Sequence, residues 1–303
     1  MTTKNNLFIE IVKAIFGKRN IAIRVTKADI YRAFGIEYNT KSGKIKVPCF
    51  GYVKPLLKNG NAKIGKGVFH FSTVPTDTQA YTFTVGGKEF TVAGTCCCTC
   101  RNAETGKIDC YACSGHYSRA NVKASLGINT FLARYCLEFT QAAIMAQILA
   151  DNITICRVHV AGDFFSDSYV EMWRDIAKAF PACVFWSYTK VEKFENAFDD
   201  IRNFNIVKSI VCIDGKRRGF NFGKCDYILA LYNELTARGE SVYICKCGFD
   251  DENPAHCITC AACRTCKYVL FVLHSTPDYD AKKDALFPVL KEIVMNQPDI
   301  VAE

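Results

Sequence analysis

The sequence predicts an α/β protein built on a parallel β-sheet covered by helices, with cysteine-rich segments added that bind metal. Three observations carry this. From residue 155 onward, near-continuous apolar strands alternate with helical stretches, the pattern of parallel strands buried on both faces. The 303 residues are 50% hydrophobic and 22% charged, enough to bury a large core without disulfides, and the composition lacks the disordered, collagen-like and coiled-coil signatures. Finally, 18 residues are cysteine, and most of them are clustered. The opening residues are interrupted by Glu10 and Lys13 and lack a small-residue cleavage site, so no signal peptide is expected. No apolar run approaches the roughly 18 residues that span a bilayer, so the expected setting is cytoplasmic, with no membrane partner. In a reducing compartment, clustered thiols point to metal before disulfides.

Taken in chain order, Leu7 to Phe16 reads as an amphipathic helix, and a second helix runs from an N-cap at Thr26 to a stop at Gly35. After a Lys/Gly-rich connection, VFHFSTV (68–74) reads as a strand. YTFTV and KEFTVAG form a hairpin about Gly86-Gly87, whose second arm runs into GTCCCTC. Apolar residues recur at helical spacing over 121–150. Strands are then expected at ICRVHVAG (155–162), ACVFWSYT (182–189), NIVKSIVCID (205–214) and ESVYICKC (240–247). The helices between them are expected at 166–180, 191–204 and 224–239. Periodicity leaves open whether the sheet is flat or curls into a partial barrel, but either form places a site at the C-terminal strand ends. Expected units are a basic N-terminal α+β cap (1–66), the hairpin, cysteine loop and α/β core (67–244), and a Cys-rich metal segment with a C-terminal helix (245–303).

The first cysteine group is Cys96, Cys97, Cys98 and Cys100, then Cys110 and Cys113. Soft thiolates converging on a loop favour zinc or iron–sulfur. The two-residue gap favours Cys110 and Cys113, with Cys100 and Cys96 next; adjacent residues aim poorly at one metal, which leaves Cys97 or Cys98 spare. Cys49, Cys136, Cys156, Cys183 and Cys212 stand singly and read as packed thiols. The second group is Cys245 and Cys247, then Cys257, Cys260, Cys263 and Cys266 at two-residue gaps. It nearly reproduces the bacterial ferredoxin run, except that the last gap is two and Lys267 follows. A zinc ribbon using Cys245 and Cys247 with one later pair is the competing set. His256 reads as an exposed loop residue.

In RVHVAGDFFS, alternation puts Arg157 and His159 on one face and Gly162-Asp163 at the strand's end. Asp163, His159 and Arg157 are the catalytic candidates, with Asp163 able to hold a ligand's amine or hydroxyl. The plainer reading makes Asp163 or Ser166 a helix cap and His159 a satisfied core residue. Ser187, Tyr188, Thr189 and Lys190 end the next strand at the same rim. The +8 charge is concentrated at the front: residues 1–66 carry 14 Lys/Arg against Glu10, Asp29 and Glu37. That region suits nucleic acid or another anionic partner, or a solvated face in which Lys41, Lys44 and Lys46 lie in a surface loop.

GNAKIGKGVFHFSTVP, the following cysteines, CYA (110–112), RVHVAGDFFSDSYVEMWRDIA and the strand end YTK resemble the phage gene-product-88-like family over about residues 59–190. The resemblance implies a protein of phages and related mobile elements acting in the host cytoplasm; it names a family and leaves the activity open. A wider resemblance is to radical S-adenosylmethionine enzymes, which place a three-cysteine [4Fe–4S] loop before a helix and then a strand ending in a Gly-Gly-Glu-like motif. That similarity implies a partial (β/α) barrel, with Gly162 and Asp163 binding the cofactor. The cysteine gaps here are nine then two, Tyr111 follows Cys110, and Asp163 stands where Glu is usual. The expected function is therefore that of an iron–sulfur protein, with one or two [4Fe–4S] clusters or zinc at the C-terminal cysteines, performing redox or radical chemistry with a small molecule or redox partner. The alternative is a metal-stapled nucleic-acid-binding protein gripping phosphates through residues 1–66.

Overall fold

The computed structural model describes residues 25–60, 64–75, 80–96, 112, 115–213, 217–246, 249, 257, 259–272, 275–276, 279–298 and 300. The expected helix over 7–16 lies outside them. Helix α1 (Lys27–Ala33) begins at a reciprocal capping box: the Thr26 hydroxyl accepts from Asp29 N, and the Asp29 carboxylate accepts from Thr26 N. Gly35 ends it at φ +73°. Strands β1 (Tyr38–Asn39), β2 (Lys44–Val47) and β3 (Gly51–Val53) then form an antiparallel sheet. Lys44 and Lys46, expected in a loop, instead lie on the outer face of β2, while Ile45 and Val47 point inward.

The central sheet has the order β10-β9-β8-β5-β4, from β4 (Lys58–Asn59), β5 (Phe69–Phe71), β8 (Ile155–Val158), β9 (Val184–Thr189) and β10 (Phe204–Lys208). β5, β8, β9 and β10 are mutually parallel and follow one another across the sheet in the order of the chain; β4 runs antiparallel at the edge. Between β5 and β8 come the hairpin β6 (Ala80–Val85) and β7 (Lys88–Ala93), whose turn residues Gly86 and Gly87 both have positive φ, followed by α2 (Ala120–Tyr135) and α3 (Leu137–Ala150). The single helix expected over 121–150 is broken at Cys136, where φ −136° and ψ 50° are not helical. Helix α4 (Asp167–Ala179) crosses from β8 to β9, capped by the Ser166 hydroxyl.

The crossover from β9 to β10 was expected to be a helix and is not one. Beyond a 3₁₀ turn at Glu192–Phe194, successive amides bond three residues back, Ala197 to Phe194, Asp199 to Asn196 and Ile201 to Phe198. The Ala197 carbonyl, which an α-helix would offer to Ile201, accepts instead from the Arg174 guanidinium, and Ile201 N bonds Phe198 O. Burial of Phe194, Phe198 and Ile201 holds this tighter path. The strand expected over 205–214 is likewise two elements. After Lys208 the chain turns at Ser209, and β11 (Ile210–Ile213) leaves the sheet to pair antiparallel with β12 (Arg217–Phe220).

A second, parallel sheet has the order β13-β15-β14, from β13 (Phe222–Gly223), β14 (Val242–Ile244) and β15 (Tyr268–Val272). Helix α5 (Cys225–Ala237) precedes β14, the short α6 (Ala262–Thr265) precedes β15, and α7 (Phe287–Asn296) packs on α5. The sheets meet where Lys208 N donates to Lys267 O at 2.9 Å. Strand pairing crosses both expected unit boundaries, β4 with β5 across residue 66 and β14 with β15 across residue 244.

One face of the central sheet carries the main core. Phe71, Cys156, Val158, Phe185, Phe204 and Ile206 meet α3 and α4, with Trp173 edge-on to Phe71 and Phe185. The other face is covered by Ile64, Val68 and the C-terminal cysteine segment. Among the described residues no helix is long and apolar enough to cross a membrane.

Candidate metal centre

Register fixes what that second face presents. Lys58 lies opposite His70, His70 opposite Arg157, Arg157 opposite Trp186, and Trp186 opposite Asn205. Directly paired residues share a face, so one rung carries Lys58, His70, Arg157, Trp186 and Asn205 across all five strands. Tyr188, two residues beyond Trp186, points the same way. Over this face lies the segment with the later cysteines. The Tyr188 hydroxyl donates to the Cys263 sulfur at 2.8 Å, and the Asn205 amide donates to the carbonyls of Cys263 and Cys266 at 3.0 and 2.9 Å. The Arg157 guanidinium stands 4.6 Å from the centre of the Tyr188 ring. Cys257 and Cys263 pack against Trp186, Tyr188 and Val160, while Cys245, Cys260 and Cys266 pack with Val207, Tyr243 and Val269.

The electrostatics are those of cations meeting thiols. Burial pushes the Cys263 thiol up to about 12; the Tyr188 hydrogen bond and Arg157 oppose the rise, while Cys257 and Cys260 add to it. Burial also lowers Arg264, which at 8% exposure faces Cys260, Cys257 and Cys263 and donates to the Cys260 carbonyl at 3.0 Å. Further along the rung, burial brings His70 down to about 4, helped by Arg157 and Lys58, and brings Lys58 down to about 8. Cys263 therefore neighbours Arg157 from the sheet, and Cys257, Cys260 and Cys263 all neighbour Arg264 from α6. Buried cations favour anions beside them, and a metal–thiolate centre is anionic. By donor softness the thiols suit such a group. Among the described residues no three His, Cys, Asp or Glu side chains form a ready-made metal cage, so binding would have to draw the thiols together. Cys247 lies outside the described residues.

The strand-end constellation is arranged differently from expectation. Arg157 and His159 do not share a face. His159 adopts φ +65°, which breaks the alternation and swings its ring to the helix side. There Nε2 lies 2.9 Å from the Tyr169 hydroxyl, Nδ1 lies 3.4 Å from the Ser187 hydroxyl, and Phe164 packs edge-on. Burial, with Arg157 contributing, lowers His159 to about 3, so it is a neutral core histidine. Asp163, 3% exposed, accepts from Phe164 N and the Thr189 hydroxyl on Oδ1 and from Lys190 N on Oδ2, at 2.7 to 2.9 Å. Burial raises its pKa and these donors oppose the rise. Gly162 has φ +89°, and a Cβ there would overlap the Thr73 and Thr95 hydroxyls. Gly162 and Asp163 are thus occupied in joining strand ends. They do not fit the amino-group site of S-adenosylmethionine.

Of the first cysteine group, Cys96 follows Thr95, whose hydroxyl accepts from Asp163 N at 3.1 Å, so the loop departs from the end of β8. Cys97, Cys98, Cys100, Cys110 and Cys113 lie outside the described residues. Of the single cysteines, Cys156 and Cys183 are buried and their pKa values raised by that burial. Cys49 is exposed in a turn at φ +66°, Cys136 breaks the α2–α3 helix, and the Cys212 side chain is not described. His70, Asn205 and Arg264 were not singled out in the sequence. The signal for the first two was available: alternation along β5 and β10 puts them on the face opposite the apolar core.

Residues 55–222, more than half of the chain, match the family model described as Gene product 88. The Gene 88 protein of Mycobacterium phage D29 is 30% identical over 92 residues, covering 27% of this chain and 38% of that protein. The chain thus spans well under half the length of that curated relative. No solved structure matches.

Proposed function

This chain belongs to the gene product 88 family, and we propose that it is a metal–thiolate protein whose C-terminal cysteines hold an iron–sulfur cluster against one face of the central sheet. The carrying observation is the gathering of Cys257, Cys260 and Cys263 about the buried Arg264, with Arg157 stacked on the Tyr188 ring whose hydroxyl reaches Cys263. Cys245, at the end of β14 and close enough to act on Tyr188, is the fourth ligand of this reading. Cys266 packs with Val207 and Val269 and serves the core. A cluster bound there takes up and gives back one electron, and the anionic thiolates find their counter-charge in the two guanidiniums.

Anaerobic purification followed by iron, sulfide and zinc analysis and visible absorption tests the proposal. Iron and sulfide with a broad visible band that bleaches on reduction, and that is lost in Cys257→Ser and Cys263→Ser, are the expected result. A colourless protein with stoichiometric zinc overturns it. A second reading, nucleic-acid binding, rests on the outward lysines Lys41 and Lys44, exposed on and before β2; Lys46 is tied to Glu37 at 2.9 Å. Retention on DNA that falls steeply with salt and weakens on neutralising Lys41 and Lys44 supports it. Retention indifferent to salt removes it.

A further inference from the structure

We propose that Tyr188 is a positioning residue that tunes the centre by donating its hydroxyl hydrogen to the sulfur of Cys263; this role rests on the iron–sulfur reading above. The phenol is held on several sides. Its backbone is in β9 between β8 and β10, Phe271 packs edge-on at 5.8 Å, and Arg157 stands over its ring. Its hydroxyl lies 2.8 Å from Cys263 Sγ. A cation over an aromatic face draws electron density from the ring, which strengthens the O–H as a donor. Asn205, two strands' width from Arg157, fixes the same cysteine by its carbonyl, so the sulfur is presented to the hydroxyl rather than meeting it by chance.

A hydrogen bond to a metal-bound thiolate withdraws charge from the sulfur. It stabilises the more negative, reduced state of a cluster and orients the ligand, so its loss lowers the potential and weakens metal retention. This role differs from filling space, because Tyr188→Phe keeps the ring, the Phe271 contact and the Arg157 contact and removes only the O–H.

The test compares wild type, Y188F and Asn205→Ala, all full-length and purified anaerobically. In Y188F, iron and sulfide content stays at the wild-type level. Its midpoint potential moves lower, and its iron is released to a chelator about ten- to a hundredfold more readily. In N205A, which loosens the segment without touching the sulfur, release quickens while the potential stays put. Y188F carrying a cluster with wild-type potential and wild-type release overturns the proposal while leaving the iron–sulfur reading intact. A wild type without iron overturns that reading and this proposal with it. Where Y188F fails to fold, the wild type decides: its Fe–S stretching bands shift after exchange into D₂O if a hydroxyl donates to a cluster sulfur, and bands indifferent to D₂O overturn the proposal.

Discussion

The Thr189 hydroxyl on β9 donates to Asp163 Oδ1 at the end of β8, at 2.7 Å, and the next amide, Lys190 N, donates to Oδ2 at 2.9 Å. One carboxylate therefore joins the ends of two parallel strands where their backbone pairing stops. Thr189→Val keeps the shape but removes both this donor and the acceptor of Val191 N, at a cost of about 1–3 kcal/mol. Because burial already raises the Asp163 pKa, the native state resists ionising it, and stability contributed here falls as pH rises from the ordinary carboxylate range through the raised value. The lost donor served the ionised form most. Urea unfolding should therefore show a larger T189V deficit at pH 8 than at pH 4; equal deficits mean that Asp163 is not charged in the fold.

His159 gives the opposite sign. Its folded pKa is lowered to about 3 from 6.5, so below pH 6.5 the unfolded chain binds a proton that the native state refuses. Its contribution is complete above 6.5 and is lost progressively as pH falls toward 3. His159→Asn, with a residue that tolerates the left-handed backbone, should lower stability at pH 7 by removing the Tyr169 and Ser187 contacts. It should also flatten the acid slope by up to about 1.4 kcal/mol per pH unit in that window. A variant whose slope matches wild type rules this histidine out as the source.

Much of the frame was legible in the sequence because it follows local rules. The capping box at Thr26 and Asp29, the Gly86-Gly87 turn, the Ser166 cap and the amphipathic helix 167–179 each depend on residues within one turn. What failed depends on partners distant in sequence. Helical periodicity over 191–204 lost to a tighter path on which Arg174 of α4 meets the Ala197 carbonyl and Phe194, Phe198 and Ile201 are buried. The shared face of Arg157 and His159 failed at one left-handed residue. The cysteine spacing marked out the C-terminal segment, but only strand register brings Arg157, Tyr188 and Asn205 beneath it, and that pairing leaves no trace in a single sequence.

Gly162 is required by backbone and by space. Its φ of +89° disfavours any side chain, and a Cβ would overlap the Thr73 hydroxyl, which itself lies 2.8 Å from that of Thr95. Gly162→Ala should cost about 2–5 kcal/mol, the sum of a left-handed penalty and overpacking. Thr73→Ala added to it should recover the overpacking share. If the double variant is simply the sum of the two single losses, the overlap is not the cause.

Gln147 on α3 completes a gap in the front of the sheet. Its side chain accepts from Leu57 N at 2.8 Å and donates to Leu57 O at 2.9 Å, taking the place of a strand partner just before β4. Gln147→Leu leaves both backbone groups buried without those bonds and should lower stability by about 2–4 kcal/mol. Hydrogen exchange at Leu57 should accelerate before global unfolding. Unchanged protection there would show that another group serves the Leu57 amide.

The same strand-end network runs from the residue beside Cys96 to Cys263. Thr95, beside Cys96, meets Asp163; Asp163 is held by Thr189; and Tyr188, the residue before Thr189, meets Cys263. Discrete hydrogen bonds between packed strands can pass a shift at one end to the other. Emptying the second group in Cys260→Ser/Cys263→Ser should therefore disturb any metal held by the first. In air, the iron remaining in that variant should bleach several-fold faster than the corresponding fraction in wild type, and Thr189→Val, which severs the middle of the network, should produce part of the same acceleration. If the remaining iron keeps its wild-type spectrum, potential and lifetime in the double cysteine variant, the C-terminal group is an independent staple and the network serves folding alone.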